Sequence, residues 1–102
     1  MEKITKEKIL ELKDKPNVTV VKYGITGCMP CLMAEETLAD MDLSNVDVYS
    51  CDDVDYMTSE LGVESMPVIY VYGKGKSERI NAYEVLDELE EVLTETIEKV
   101  KE

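Results

Sequence analysis

Residues 27–31 read Gly27-Cys28-Met29-Pro30-Cys31, two thiols three positions apart with a proline between them. Three chemistries use such a pair: a redox couple, half of a metal site, or two unreactive core cysteines. The flanking sequence separates them. Residues 18–23, VTVVKY, are β-branched and aromatic, as a strand requires. They are nearly continuous in apolar character, as a strand buried on both faces would be, apart from Lys22. Gly24 to Gly27 then read as a turn, and residues 29–41 are rich in good helix formers. Pro30 falls in the first helical turn, where its missing N–H costs little. Cys28 is therefore expected at the helix start and Cys31 one turn inside. Unpaired N–H groups and the helix dipole at that end stabilise a thiolate, which is the nucleophilic form. Cys28, the more exposed thiol, would attack a target disulfide, and Cys31 would resolve the mixed disulfide. The spacing permits an internal disulfide without moving the backbone.

The remaining chain supplies the frame. Thr5 is suited to cap a short helix over 6–14, which Pro16 and Asn17 end. Residues 46–51 alternate as a second strand, 54–61 form a short helix ending at Gly62, and Pro67 opens a strand over 68–72. Gly73 to Lys76 make a hairpin turn returning through 77–80. Asn81 and Glu84 pose as a capping box for a last helix whose apolar stripe runs Val85, Leu86, Leu89, Val92, Leu93, Ile97 and Val100. The order α-β-α-β-α-β-β-α predicts one α/β domain over 1–102, a central mixed sheet with helices on both faces. The Cys pair lies inside its βαβ unit, the context that a redox dithiol requires.

Composition excludes several classes. The chain of 102 residues carries 11 basic and 23 acidic side chains, a net charge of −12. Phosphate backbones and anionic membrane faces would repel it, so neither nucleic acid nor membrane is an expected partner. No run approaches the ~20 apolar residues of a membrane span, and the opening MEKITKEKIL lacks a secretory h-region. The expected setting is the cytoplasm, where thiols stay reduced. There is no histidine, which removes Ser–His and Cys–His catalysis. A zinc site needs about four ligands, and only Cys51 and carboxylates remain to supply them. No metal is expected.

The Gly27–Cys31 motif after a buried strand, followed by Ser65-Met66-Pro67-Val-Ile-Tyr-Val-Tyr72, resembles the thioredoxin family over nearly the whole chain. The resemblance implies the thioredoxin fold and a protein-disulfide reductase with Cys28 as nucleophile and Cys31 as resolving thiol. It implies a cis Met66–Pro67 bond, with Met66, Pro67 and Gly27 shaping the target groove. Partners would be disulfide-containing proteins and a thioredoxin reductase or equivalent, with no organic cofactor beyond the Cys28–Cys31 couple, acting as a monomer. Glutaredoxins share a dithiol and a cis-proline. Their Gly-Gly-Asp-type glutathione stretch is missing from Glu78-Arg-Ile-Asn-Ala-Tyr83. A glutathione-dependent enzyme and a redox-inert binding module remain the alternatives.

Three departures from that family bear on chemistry. Met29 replaces the usual glycine, and Gly24 and Gly27 replace aromatic residues before the first cysteine. By the resemblance, Lys22 occupies the position of the family's buried Asp and Val48 that of its lysine partner. The charge pair is thus either absent or rebuilt with opposite sign. Lys22 is expected to tune the couple, with Met29 and Pro30, as a cation or a desolvated amine beneath the dithiol. The bland reading has it snorkel to solvent from a strand end. Cys51 reads as a small buried hydrophobe. Met29 and Met66 would flank the dithiol as an adaptable contact patch, while Met33, Met41 and Met57 fill core, and Tyr23, Tyr49, Tyr70 and Tyr72 pack on strands.

Overall fold

Thr19–Tyr23 (β2) is the most buried strand of the molecule, every residue of it sequestered from solvent. The computed structural model describes all residues, Met1–Glu102. Around β2 the chain arranges Glu2–Lys3 (β1), Lys6–Leu12 (α1), Met29–Asp40 (α2), Asp47–Cys51 (β3), Val54–Ser59 (α3), Val68–Gly73 (β4), Lys76–Ile80 (β5) and Leu89–Lys101 (α4). The five strands form one mixed sheet in the order β1-β3-β2-β4-β5. β3 runs parallel to β2 and to β1, whereas β4 and β5 are antiparallel to their neighbours.

The two faces of the sheet carry two cores. Side chains alternate along a strand, so Val20 and Lys22 point one way and Thr19, Val21 and Tyr23 the other. On the first face, Val20, Ile69 and Val71 meet Ala34 and Leu38 of α2 and Leu89, Leu93, Ile97 and Val100 of α4. On the second, Val21, Tyr23 and Tyr72 meet Ile9 of α1 and Tyr56 and Met57 of α3. The α4 stripe buries the residues its helical spacing selects. Lys74 and Gly75, both with positive φ, make the two-residue turn that joins β4 to β5.

Several expectations are corrected. β1 was not anticipated: its two residues are exposed and charged, and only pairing to β3, extended by the Ile4 N–H to the Ser50 carbonyl at 2.8 Å, makes it a strand. α1 stops at Leu12 and α3 at Ser59, each two residues short of the expected end. The last helix does not start at Asn81. Ala82–Glu88 is a 3₁₀ segment broken at Val85, and the α-helix begins only at Leu89. The Asn81 side chain does not cap it; its oxygen accepts from Arg79 Nε at 2.9 Å. The Tyr83 N–H is drawn to the Pro67 carbonyl at 3.2 Å, a tertiary bond that competes with regular helix geometry. Met33 is surface, 48% exposed, because the buried stripe of α2 runs Cys31, Ala34 and Leu38. Met57 is fully buried and Met41 packs against the α2/α4 core, as expected.

Candidate functional site

The carboxyl ends of β2 and β3 lie side by side, and the Gly24 N–H donates to the Cys51 carbonyl at 3.1 Å. Open α/β sheets bind their ligands at such ends. From there the chain turns through Gly27, whose φ of +85° suits glycine, into α2. Cys28 is the N-cap residue, with extended backbone, and its Sγ accepts the Cys31 N–H at 3.2 Å. That is the position of a capping oxygen in an ordinary helix. A negative sulfur here receives a backbone donor and the positive end of a twelve-residue helix. Met29 and Pro30 occupy the first turn, Met29 being 68% exposed. Cys28 is half-buried, whereas Cys31, 2% exposed, faces inward. The two are joined as a disulfide with a Cα–Cα distance of 5.2 Å.

The strand opposite completes the surroundings. Tyr23 pairs with Val68, so the Met66–Pro67 peptide lies across the sheet from Gly24. That peptide bond is cis. Pro67 is buried and Met66 partly so. Ile25, Met29 and Leu32 are exposed around the dithiol as an apolar surface.

Lys22 does not snorkel. The strand's period of two puts it on the same face as Val20, beneath α2, and its side chain is only 6% exposed. Its Nζ donates to Glu35 Oε1 at 2.6 Å. The charge pair is therefore present, with the cation on the strand and the carboxylate on α2. Val48 packs against the apolar core and takes no part. Sequence reasoning missed Glu35. Its signal was the four-residue spacing from Cys31, which sets both on one face of a helix. A cavity of about 310 Å³ opens beside the pair, lined by Lys22, Gly24, Cys28, Cys31 and Glu35. Cys51 borders it too, and burial pushes that thiol up from its ordinary range, so it stays protonated and inert near neutral pH. No group of three potential metal-ligating side chains is gathered anywhere in the chain.

Gly24 is required by close approach. A Cβ there would stand 2.6 Å from Cys31 Sγ and 3.6 Å from Lys22 Cε. The disulfide fixes that sulfur, whereas a free thiol is able to rotate away. Gly24→Ala is therefore expected to disfavour the closed form by about 1–3 kcal/mol of overpacking, making the couple roughly 20–60 mV more oxidising. Thiol trapping across a dithiothreitol series reads the shift directly. An unchanged potential would mean that the loop yields instead.

The fold is that of a mixed sheet between helices with a dithiol at a helix start. It is the thioredoxin fold. Fasciola hepatica thioredoxin is 23% identical and superposes with a TM-score of 0.72, covering 99% of this chain and 100% of that one. Spinach chloroplast thioredoxin f gives 0.72 at 17% identity, covering 99% and 86% of the two chains. Malassezia sympodialis thioredoxin gives 0.71 at 17%, covering 100% and 91%. No protein-family model matches the chain, and no curated protein matches it in sequence.

Proposed function

We propose that the protein is a thiol–disulfide oxidoreductase that reduces protein disulfides. The observation that carries this reading is Cys28 as the N-cap of α2, receiving the Cys31 N–H, with Cys31 buried one turn behind it. The Cys28 thiolate attacks a target disulfide, and one target sulfur leaves as a thiolate. The Cys31 thiolate then attacks Cys28 Sγ, the mixed disulfide breaks, and the second target thiolate departs. Two electrons pass from the dithiol to the target, so the reaction asks for no organic cofactor. A separate two-electron reductase returns them.

The target's backbone would lie along Gly27, Met66 and Pro67, with Met29 and Met66 as adaptable apolar contacts. Pro30 fixes the first turn that sets the spacing of the two thiols. Lys22 is a buried cation close to Cys31, and a positive charge there favours the thiolates and hence the reduced form. Such a reductant fits a compartment that keeps thiols reduced, which we place in the cytoplasm. No helix is long and apolar enough to cross a membrane.

Turnover of a disulfide-bonded protein with dithiothreitol as electron source tests the reading. The protein is expected to accelerate reduction at substoichiometric amounts and to form an internal disulfide in equilibrium with the reductant. Absence of that disulfide at every ratio would turn attention to docking without redox chemistry. Turnover sustained by glutathione alone would favour the glutaredoxin-like activity.

A further inference from the structure

We infer that Arg79 is a positioning residue for target docking, whose guanidinium closes a ring of contacts that presets the loop carrying Met66 and Pro67. This rests on the dithiol-exchange reading and names what holds one wall of the groove in which the target would lie.

Arg79 is the chain's only arginine. Although 23 acidic residues are at hand, it forms an ion pair with none of them. Its donors go to two neutral oxygens instead. Nε donates to Asn81 Oδ1 at 2.9 Å, and Nη1 donates to the Leu61 carbonyl. Arg79 stands on β5 opposite Tyr70 of β4, and its guanidinium lies over that ring, 5.9 Å from the centroid. Tyr70 is itself held, edge-on to Tyr23 and stacked on Tyr72. The cation therefore has a fixed seat. Its planar fork serves two acceptors in set directions, which a lysine ammonium does not.

The two acceptors belong to segments that the sheet does not hold. Leu61 opens the stretch between α3 and β4 that leads to Met66 and Pro67. Within it the Val63 N–H donates to the Met57 carbonyl at 2.9 Å, whereas Glu64, Ser65 and Met66 donate no backbone hydrogen bond. Asn81 follows β5, and two residues on the Tyr83 N–H donates to the Pro67 carbonyl at 3.2 Å. A closed circuit results. The chain runs from Leu61 to Pro67, the hydrogen bond crosses to Tyr83, the chain returns to Asn81, and Arg79 spans back to Leu61. A cavity of about 150 Å³ lies within it, walled by Gly62, Glu64, Ser65, Asn81, Tyr83 and Arg79 itself. Without the guanidinium, backbone bonds at Val63 and Pro67 alone would tether the loop. A segment with so few bonded backbone groups opens easily. Docking would then have to order it, a cost paid in affinity and not in sulfur chemistry.

Arg79→Met keeps an unbranched stem over Tyr70 and removes the fork. In reduction of insulin with dithiothreitol as electron source, KM is expected to rise about tenfold at unchanged kcat, the weight of one hydrogen bond to a charged group. Dithiobis(nitrobenzoate), a disulfide too small to span the groove, is expected to react at the parent's rate. Arg79→Lys keeps the charge but reaches one acceptor at a time, so its KM is expected to stay near that of Arg79→Met. Amide hydrogen exchange reads the ring without turnover. The Tyr83 N–H is expected to exchange about tenfold faster in Arg79→Met, with the β2 amides unchanged. Where Arg79→Met folds poorly, Asn81→Ala removes one arm of the fork, with a smaller rise in KM and the same exchange signature. An unchanged KM, a parent-like KM in Arg79→Lys, or equal losses with insulin and the aromatic disulfide overturns the assignment. Unchanged Tyr83 exchange overturns it whether or not the protein reduces disulfides. Faster Tyr83 exchange in a protein that never reduces insulin would overturn dithiol exchange and leave the ring standing.

Discussion

Cys28→Ser is expected to remove disulfide reduction altogether, by a factor on the order of 10³ or more, as loss of a nucleophile does elsewhere. A serine hydroxyl at the same N-cap would still accept the Cys31 N–H, so the helix keeps its cap and the fold its stability. What disappears is the only accessible cysteine sulfur in the chain: Cys31 and Cys51 are 2% and 1% exposed. Cys31→Ser is expected to behave differently. The first attack survives, and the target stays bound to Cys28 as a mixed disulfide that no neighbouring thiol resolves. Incubation with a disulfide-bonded protein, followed by non-reducing electrophoresis, distinguishes the two. Cys28→Ser should capture nothing, and Cys31→Ser should accumulate a covalent adduct cleaved by dithiothreitol. Adduct formation by Cys28→Ser would transfer the nucleophile's part to Cys31 and reverse the order of the mechanism.

The central strand, the turn at Gly27 and the position of both thiols were legible because each rests on local chemistry. A β-branched run, a glycine at positive φ and a proline inside a first helical turn all act within a few residues. The sheet and its two helical faces follow from that alternation. What escaped depends on contacts between distant segments. β1 exists only through its pairing to β3. Asn81 had every local qualification for a cap, yet its side chain is taken by Arg79, which also bonds the Leu61 carbonyl and lies over Tyr70. Lys22 stood out at once as a charge in a buried strand. Its partner did not, because 23 acidic residues offer many candidates, and only the packing of α2 over β2 selects Glu35.

Strong alkali is expected to unfold the protein through Tyr23 and Tyr72. Their hydroxyls meet at 2.7 Å between β2 and β4, and both side chains are almost wholly buried. Burial pushes both phenols above their ordinary range, since neither anion would find water there. An unfolded tyrosine ionises near pH ~10. Above that pH the unfolded state binds fewer protons than the folded one, so stability falls as pH rises. The slope is about 1.4 kcal/mol per pH unit for each tyrosine, about 2.7 for the pair. A domain of this size commonly has about 5–15 kcal/mol to lose. Two to three pH units beyond the onset therefore remove much of it. Tyr72→Phe alone leaves the Tyr23 hydroxyl buried without its partner, and is expected to cost about 1–3 kcal/mol at neutral pH. Replacing both by phenylalanine removes donor and acceptor together, which is close to neutral at pH 7. The same double variant should lose the pair's share of the alkaline slope and outlast the parent at high pH. Urea unfolding followed by circular dichroism from pH 7 into the alkaline range measures both slopes. Equal slopes would place the proton release elsewhere, with Cys51 and Tyr56, whose ionisation burial also opposes, next in line.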